Sequence, residues 1–518
     1  MKLKIYGLLA FMLIALFSCS DDDSSPSPNP NIDSDLIESI DVQLNPSGYA
    51  PLAARINLET TEPVSVEVAV LGKNGDASTI TKRFVGVDSS FELEVLGLYA
   101  NYDNEVEIRL LGSTGNVLET QMVTIQTDPL IAEMPVITID VPSGSSEPVF
   151  NFVNYFGFVD NFRPQRPFIF DQFGDIRWYL DFSNHPTLND LFYDNGMTLL
   201  QNGNLLFGDG RTFSIYEIDF LGRISNSWSL QGNGFHHHVI EKPDGNLLVT
   251  INDASKSTVE DVIIEIDRGS GSFVNRWDLN NSLDNSRRAW PTDLADLEVD
   301  WFHANSLEYS AQDEEIIVSG RTQGIAKLNA QNELSYILAP HREWSTSGDG
   351  TDLTQFLLTP LDANNEEITD MAVLDGTENH PDFEWSWYQH SPILMPNGNL
   401  MVFDNGDNRN YVNAGPYSRA VEYEIDETNK TIKQVWSYGK ERGEETYARV
   451  VSKVSYLPEN NSILFTPGSA VSNGVAAGKV IEVDYNTKEV LFEATINPPN
   501  SIINISFHNV LRIPLYSN

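Results

Sequence analysis

Ile218-Asp-Phe-Leu-Gly-Arg-Ile-Ser-Asn-Ser-Trp228 is one copy of an element that recurs along the chain. An apolar residue and an aspartate enter a turn, and the strand leaving the turn ends on an aromatic side chain. The pattern returns as Phe170-Asp171 to Trp178, Ile266-Asp267 to Trp277, Leu328-Asn329 to Tyr336, Ile425-Asp426 to Trp436 and Val483-Asp484 to Phe492, which makes six copies. A second hairpin alternates with it, as Asn202-Gly203-Asn204-Leu205, Asp244-Gly245-Asn246-Leu247, Gln312-Asp313-Glu314, Asn397-Gly398-Asn399-Leu400 and Glu459-Asn460-Asn461. Glycine and asparagine supply the positive φ that tight hairpins need. Two hairpins per repeat build a four-stranded antiparallel sheet, and radial repetition of such sheets gives a β-propeller with protected edges. The expectation is an all-β chain whose residues 143–518 form a six-bladed propeller. A seventh blade within Pro340 to Glu384, or a large sandwich, are the competing arrangements. Read as a loop, that long segment lies over one mouth of the propeller, where function concentrates.

Upstream, Val64-Ser-Val-Glu-Val-Ala-Val70 and Glu105-Val-Glu-Ile-Arg-Leu-Leu111 alternate apolar and polar positions between turn signals. Strands at this spacing predict a small N-terminal β-sandwich over residues 36–130. The proline-containing stretch Asp128 to Pro142 then marks the domain boundary. With 518 residues, 41% of them hydrophobic, the chain can bury a large core and exceeds the usual size of one domain. Its net charge of −42 repels nucleic acid and anionic membrane surfaces, so a nucleic-acid partner is excluded as a first reading. Most of that acidity reads as a solvated surface.

Cys19 is the only cysteine, which rules out an intrachain disulfide and a multi-thiolate metal site. Lys2 and Lys4 precede an apolar run from Ile5 to Phe17, and Leu16-Phe17-Ser18-Cys19 resembles a bacterial lipoprotein cleavage box in which the cysteine becomes the lipidated N-terminus. Residues 1–19 therefore read as a lipoprotein signal peptide and residues 20–35 as a flexible tether. The expectation is an exported lipoprotein of the outer membrane, anchored through lipid on Cys19, on either the periplasmic side or the cell surface. The oligomeric state stays open, with a homodimer among the alternatives.

The histidines share one address. His237 and His390 stand six residues before Pro243 and Pro396, and His508 stands six before Pro514, while His303 precedes a hairpin with a longer loop. The strand before each of these hairpins is the innermost of its blade, so the equivalent positions are Asn195, His237, His303, His390, Ser452 and His508, all polar. Rotation about the propeller axis brings them together. Strand alternation directs His237 into the channel and its neighbours His236 and His238 away from it, though their placement stays undecided. Arg321 follows the strand paired with the one that leads from His303, so it reaches the same channel. An arginine among imidazoles makes a poor cation site and a good oxyanion site, because its planar fork donates charge-assisted hydrogen bonds to sulfate or phosphate oxygens.

These residues resemble the bacterial aryl-sulfate sulfotransferases that work without a nucleotide sulfate donor. The resemblance covers nearly the whole mature chain. It rests on Leu44-Asn-Pro-Ser-Gly-Tyr-Ala-Pro51, Asp300-Trp-Phe-His303-Ala-Asn305, Ser319-Gly-Arg321, Gln389-His390 and Phe403-Asp-Asn-Gly-Asp407-Asn-Arg409. It implies a ping-pong reaction without a cofactor, in which a histidine takes the sulfuryl group from an aryl sulfate donor and passes it to a phenolic acceptor. By motif, His390 is the nucleophile, His237, His303 and Arg321 hold the sulfuryl oxygens, and Asn305 helps orient them. His508 has the right ring position with a role left open. Phe302, Trp344, Trp385, Trp387, Tyr388 and Tyr447 are candidates for an aromatic wall, with Trp387 and Tyr447 taken as substrate-binding. Asp404-Asn405-Gly406-Asp407-Asn408 lacks the terminal glutamate of a calcium loop and reads as a blade turn. Two other functions compete: a metalloenzyme with iron or zinc on the histidine ring, against which Arg321 speaks, and a surface-anchored propeller that only binds a glycan or protein.

Overall fold

The computed structural model describes residues 34–156, 165–288, 298–412, 417–472, 475–499 and 505–516. The expected signal peptide, and the tether up to residue 33, lie outside the described residues. Among the described residues six sheets of four or more strands follow the N-terminal domain, each antiparallel along its main strands, as a six-bladed propeller requires. The blades, in chain order, have their second strands at Phe150–Phe156, Leu205–Asp209, Leu247–Asn252, Glu315–Gly320, Leu400–Asp404 and Ser462–Thr466.

The repeated motif has a physical role in each blade. In all six copies the Asp or Asn side-chain oxygen accepts backbone N–H groups of its own turn, for example Asp219 from Arg223 at 2.9 Å and Asp484 from Thr487 at 2.7 Å. The outer hairpin slips register beside five of these turns, and between Glu422 and Tyr423, a few residues earlier, in the fifth blade. The tryptophan then reaches the next blade. Trp178, Trp228, Trp277 and Trp436 donate Nε1–H to the carbonyls of Phe220, Arg268, Asn329 and Tyr485 at 2.7–2.9 Å. Each acceptor lies in the corresponding turn of the following blade, so the motif caps one turn and ties neighbouring blades together.

Two blades are closed by strands from far along the chain. The C-terminal strand Ser506–Arg512 pairs with Phe150–Phe156 and forms the innermost strand of the first blade. Val136–Val141 pairs with Val490–Asn497 as the outermost strand of the sixth. The propeller thus begins at Val136, ahead of the boundary expected at residue 143, because the presumed linker carries a strand that the last blade needs for its edge. The segment from Pro340 to Glu384 is not a seventh blade. It adds the two-residue strand Thr359–Pro360, parallel to Thr431–Tyr438 at the outer edge of the fifth blade. None of its residues lines the axial cavity bordered by His237 and His390.

The N-terminal domain is a five-stranded antiparallel sheet built on a long ribbon, Ala53–Val70 against Ile80–Leu96. Ile37–Leu44 flanks the first half of that ribbon and Asp103–Leu111 the second. Its alternating residues, such as Ile56, Leu58, Val66, Val68, Leu93 and Ile108, are buried in a cluster that continues into the first blade through Phe150, Phe152 and Trp178. Arg177 seals the junction. Fully buried, it donates to Gly97 O at 2.8 Å and to Asp171 Oδ2 at 2.9 Å while lying over the Tyr99 ring.

Candidate active site

The innermost strands of four blades break register where the histidines stand, between Phe235 and Val239, Ala304 and Ser306, His390 and Ile393, and Phe507 and Val510. His237 and His303 carry φ of 50° and 57°, in the left-handed region that non-glycine residues seldom occupy. Such bulges re-aim side chains and gather at active sites. Their effect here overturns the expected divergence of the triplet. His236 and His237 have ring centroids 4.0 Å apart, and His238 lines the same axial cavity as His237. Two-residue alternation holds only for extended backbone, and the positive φ at His237 suspends it.

The structure brings His237, His303, Arg321 and His508 into one cluster. His237 Nε2 and His303 Nε2 are 2.9 Å apart, and burial pushes the His237 pKa down. Arg321 donates from its guanidinium to His303 Nε2 at 3.0 Å. Its Nε is buried without a hydrogen-bond partner among the described residues, a donor left over for an anion. Three carboxylates that sequence reading passed over surround the imidazoles. Asp194 Oδ1 contacts His237 Nδ1 at 2.8 Å and His508 Nε2 at 3.2 Å. Glu260 lies 2.6 Å from His236 Nε2 and 2.5 Å from His303 Nδ1, and Asp300 lies 2.7 Å from His303 Nδ1. Burial raises the Asp194 carboxyl, but the imidazoles of His237, His236 and His508 outweigh it and hold the group well below the usual carboxylate range. Burial opposes protonation of His236, while Glu260 and Asp194 favour it and lift its pKa to about 9. Asp300 stood in the quoted motif and could have been found there. Asp194 is adjacent to the assigned ring residue Asn195, whose own amide is spent on Phe192 O and the Met197 N–H. Glu260 has no sequence signal, because its loop reaches the site only in the folded sheet.

His390 is built differently. Its Nδ1 lies 2.8 Å from Asn405 Oδ1 and 3.1 Å from Tyr388 O. The Asn405 amide nitrogen donates to Ala448 O and Val451 O, at 2.8 and 3.0 Å, so the amide orientation is set and its oxygen faces the ring. Two acceptors at Nδ1 put the proton there and leave the lone pair on Nε2. Burial pushes the His390 pKa down to about 3, helped by His508, His303 and Arg321. The imidazole is therefore neutral across the physiological range, with a bare Nε2.

His237, Asn305, His390, Ser452 and His508 line one cavity of about 500 Å³ along the axis. Asn305 borders it while its amide donates to Gln389 O at 2.9 Å. None of the six aromatic candidates lines this cavity, and Trp344 and Tyr388 are buried. Trp387, Trp385 and Phe302 are packed in the core, and Tyr447 donates to Asp407 Oδ1 at 3.1 Å on a loop that does not line the cavity. Apolar surface comes instead from Ile240, Leu307, Tyr309, Pro392 and Ile393. These are inner-strand residues whose period-two pattern is no different from core. The Asp404–Asn408 stretch is a turn with its carboxylates occupied, Asp404 by Arg409 and Arg419, and Asp407 by Arg449.

The family can now be compared with this geometry. Residues 139–502 match the profile described as Arylsulfotransferase (ASST), and residues 41–128 match the Arylsulfotransferase Ig-like domain. The chain belongs to the arylsulfotransferase family. Within it, the chain is 33% identical over 388 residues to arylsulfate sulfotransferase AssT of Escherichia coli O6:H1 (strain CFT073), covering 64% of this chain and 62% of that one. It is 29% identical over 559 residues to arylsulfate sulfotransferase AssT of Lelliottia amnigena, covering 88% and 90%. Among solved structures, virginiamycin B lyase of Staphylococcus aureus, as its selenomethionine-substituted form, matches with a TM-score of 0.32 and 12% identity over 86% of this chain and 99% of that one. The arylsulfotransferase cluster of imidazoles and carboxylates also contains groups able to offer three ligands to a metal ion: Asp194, His237 and His508; His236, His237 and Glu260; and Glu260, Asp300 and His303.

Proposed function

We infer that this arylsulfotransferase moves a sulfuryl group from an aryl sulfate to a phenol by a ping-pong route through N-sulfo-His390. The observation that carries the reading is the pair of oxygen acceptors, Asn405 Oδ1 and Tyr388 O, at His390 Nδ1. Asn405 holds the proton on Nδ1, and burial keeps the ring neutral, so Nε2 is a nucleophile at neutral pH without a base to activate it. In the first half-reaction the Nε2 lone pair forms a bond to sulfur and the sulfur–aryl oxygen bond breaks. The phenolate oxygen takes a proton from one imidazole of the His237–His303 pair, whose Nε2 atoms stand 2.9 Å apart. In the second half, a new phenol returns a proton to that pair, its oxygen attacks sulfur, and the N–S bond breaks. Arg321, with its unused Nε–H, and the His236 imidazolium supply positive charge for the sulfuryl oxygens as they become trigonal. The names of the two relatives support sulfuryl transfer from an aryl sulfate.

The test is 4-nitrophenol release from 4-nitrophenyl sulfate with and without a phenol acceptor, for wild type and His390→Asn, with intact mass recorded after donor alone. Acceptor-dependent turnover and a sulfuryl mass increment on wild type, both lost in the variant, are expected. Acceptor-dependent turnover by His390→Asn at the wild-type rate would exclude His390 as the nucleophile.

A metal-dependent reaction is the second reading, favoured by the three ligand groups. Arg321, 3.0 Å from His303 Nε2, opposes a cation there. Metal analysis of the purified protein decides: stoichiometric metal whose removal abolishes turnover would replace the sulfohistidine route. The lipid anchor at Cys19 and the outer-membrane location belong to the same proposal. Cys19→Ala is expected to move the protein from the membrane to the soluble fraction, and retention in the membrane would refute the anchor.

A further inference from the structure

Below the reacting histidines the cavity holds a cation that the reaction as derived does not use. Lys453 follows the ring residue Ser452, and both line the cavity because Ser452, at φ 89°, breaks the strand alternation as His237 does. Lys453 is half-buried and lines the cavity, its ammonium makes no hydrogen bond or ion pair among the described residues, and partial desolvation pushes its pKa down. The charged and titratable groups that act on Lys453 and its surroundings are Glu308, His238 and His508. Glu308 lies five residues past His303 on its own inner strand, and its Oε1 accepts the Tyr309 N–H at 2.8 Å, so it is turned to its own backbone. His238 Nδ1 accepts the Leu307 N–H at 2.9 Å, which puts its proton on Nε2. Glu241, the other carboxylate of the lining, is ion-paired with Arg268. The cavity therefore presents an unpaired ammonium and an imidazole N–H beside the apolar side chains of Leu307, Pro392 and Ile393.

We propose that this half of the cavity is a subsite for an anionic ring substituent, in which Lys453, aided by His238 Nε2–H, binds a carboxylate on the aryl group of the donor and of the phenol that replaces it. The inference rests on the sulfuryl-transfer reading. In a ping-pong exchange at one sulfur the departing and arriving aryl groups occupy the same place, so Lys453 must act on both. A volume of about 500 Å³ lies within the range of small-molecule sites and accommodates a substituted phenol.

The experiment compares wild type with Lys453→Met, using phenol and 4-hydroxybenzoate as acceptors, and phenyl sulfate and 4-sulfooxybenzoate as donors. In the variant the kcat/KM ratio of carboxylated over plain substrate is expected to fall about tenfold or more, by the same factor for donors and acceptors, as loss of a hydrogen bond to a charged group implies. Glu308→Gln, which removes the competing negative charge, is expected to raise the same ratio. Equal losses on all substrates would overturn the proposal and place Lys453 on the sulfuryl group instead. Calorimetric titration with 4-hydroxybenzoate and phenol in the absence of donor separates this idea from the reaction on which it rests. Preference for the carboxylated phenol, lost in Lys453→Met, supports the subsite even if no aryl sulfate turns over. Turnover without that preference removes the subsite and leaves the sulfuryl-transfer reading standing.

Discussion

Asn405 determines how His390 can react, although it need not touch substrate. Its amide is locked by two carbonyls, and its oxygen in turn locks the imidazole proton on Nδ1. Replacing Asn405 with Ala is expected to reduce kcat about 10–100-fold with a smaller change in KM, in line with other groups that orient a reactive ligand. Asn405→Asp puts a carboxylate against Nδ1 and stabilises the imidazolium, so the pH profile of kcat/KM should gain an acidic limb near neutrality. Wild type should have none there, because His390 becomes protonated only near pH 3. On the alkaline side, His236 holds its proton up to about pH 9, and its charge is present below that value and lost as pH rises through it. Wild-type kcat/KM for an aryl sulfate is therefore expected to stay level across neutrality and fall above about pH 9. A profile unaffected by Asn405→Asp would show that the hydrogen bond does not control the nucleophile.

At the scale of the element, the inner strand does more than hold up the blade. Its bulge turns a period-two strand into a fan of consecutive polar side chains, which is how His236, His237 and His238 all reach the axis. The paired strand fits closely behind. A Cβ on Gly320 would lie 2.6 Å from Phe302 Cζ, and Phe302 immediately precedes His303. Gly320→Ala is expected to destabilise the protein by about 1–3 kcal/mol through overpacking. It should also lower kcat, because moving Phe302 displaces His303. Chemical denaturation and steady-state kinetics on one preparation check both; a stability loss with kcat unaltered would uncouple the bulge from the site. The outer hairpin was legible residue by residue because turn chemistry is local. An Asx turn and a tryptophan at fixed spacing are needed wherever the unit recurs.

Across the whole molecule, stability depends on contacts that join distant parts of the chain. The C-terminal strand closes the ring at the first blade and carries His508 into the cluster, while Val136–Val141 binds the sixth blade at its outer edge. Between the domains, Arg177 is paired with Asp171 and bonded to Gly97. Arg177→Met leaves Asp171 buried without its partner and is expected to cost about 3–5 kcal/mol. Denaturant titration followed separately by signals from the two domains should then show two transitions where wild type shows one. A single transition at the wild-type midpoint would mean that the junction is held by its apolar contacts alone.

The sequence by itself determined the number of blades, the all-β class, the N-terminal β domain and four of the six axial imidazoles. Each of these follows from signals repeated at fixed spacing, and repetition can be read without coordinates. It placed His237, His303, His390 and His508 in one channel for the same reason, and Arg321 there through the strand paired with that of His303. Only the tertiary structure decided that His236 and His238 join them, that Asp194, Glu260 and Asp300 balance their charge, and that Asn405 selects the His390 tautomer. It also moved Trp387 into the core and Tyr447 onto an ion-paired loop, and it exposed Lys453 to the cavity. The physical reason is the same in each case. A side chain's direction at a backbone of positive φ, and the meeting of loops from different blades, depend on how the ring closes, and no periodicity along the chain encodes them.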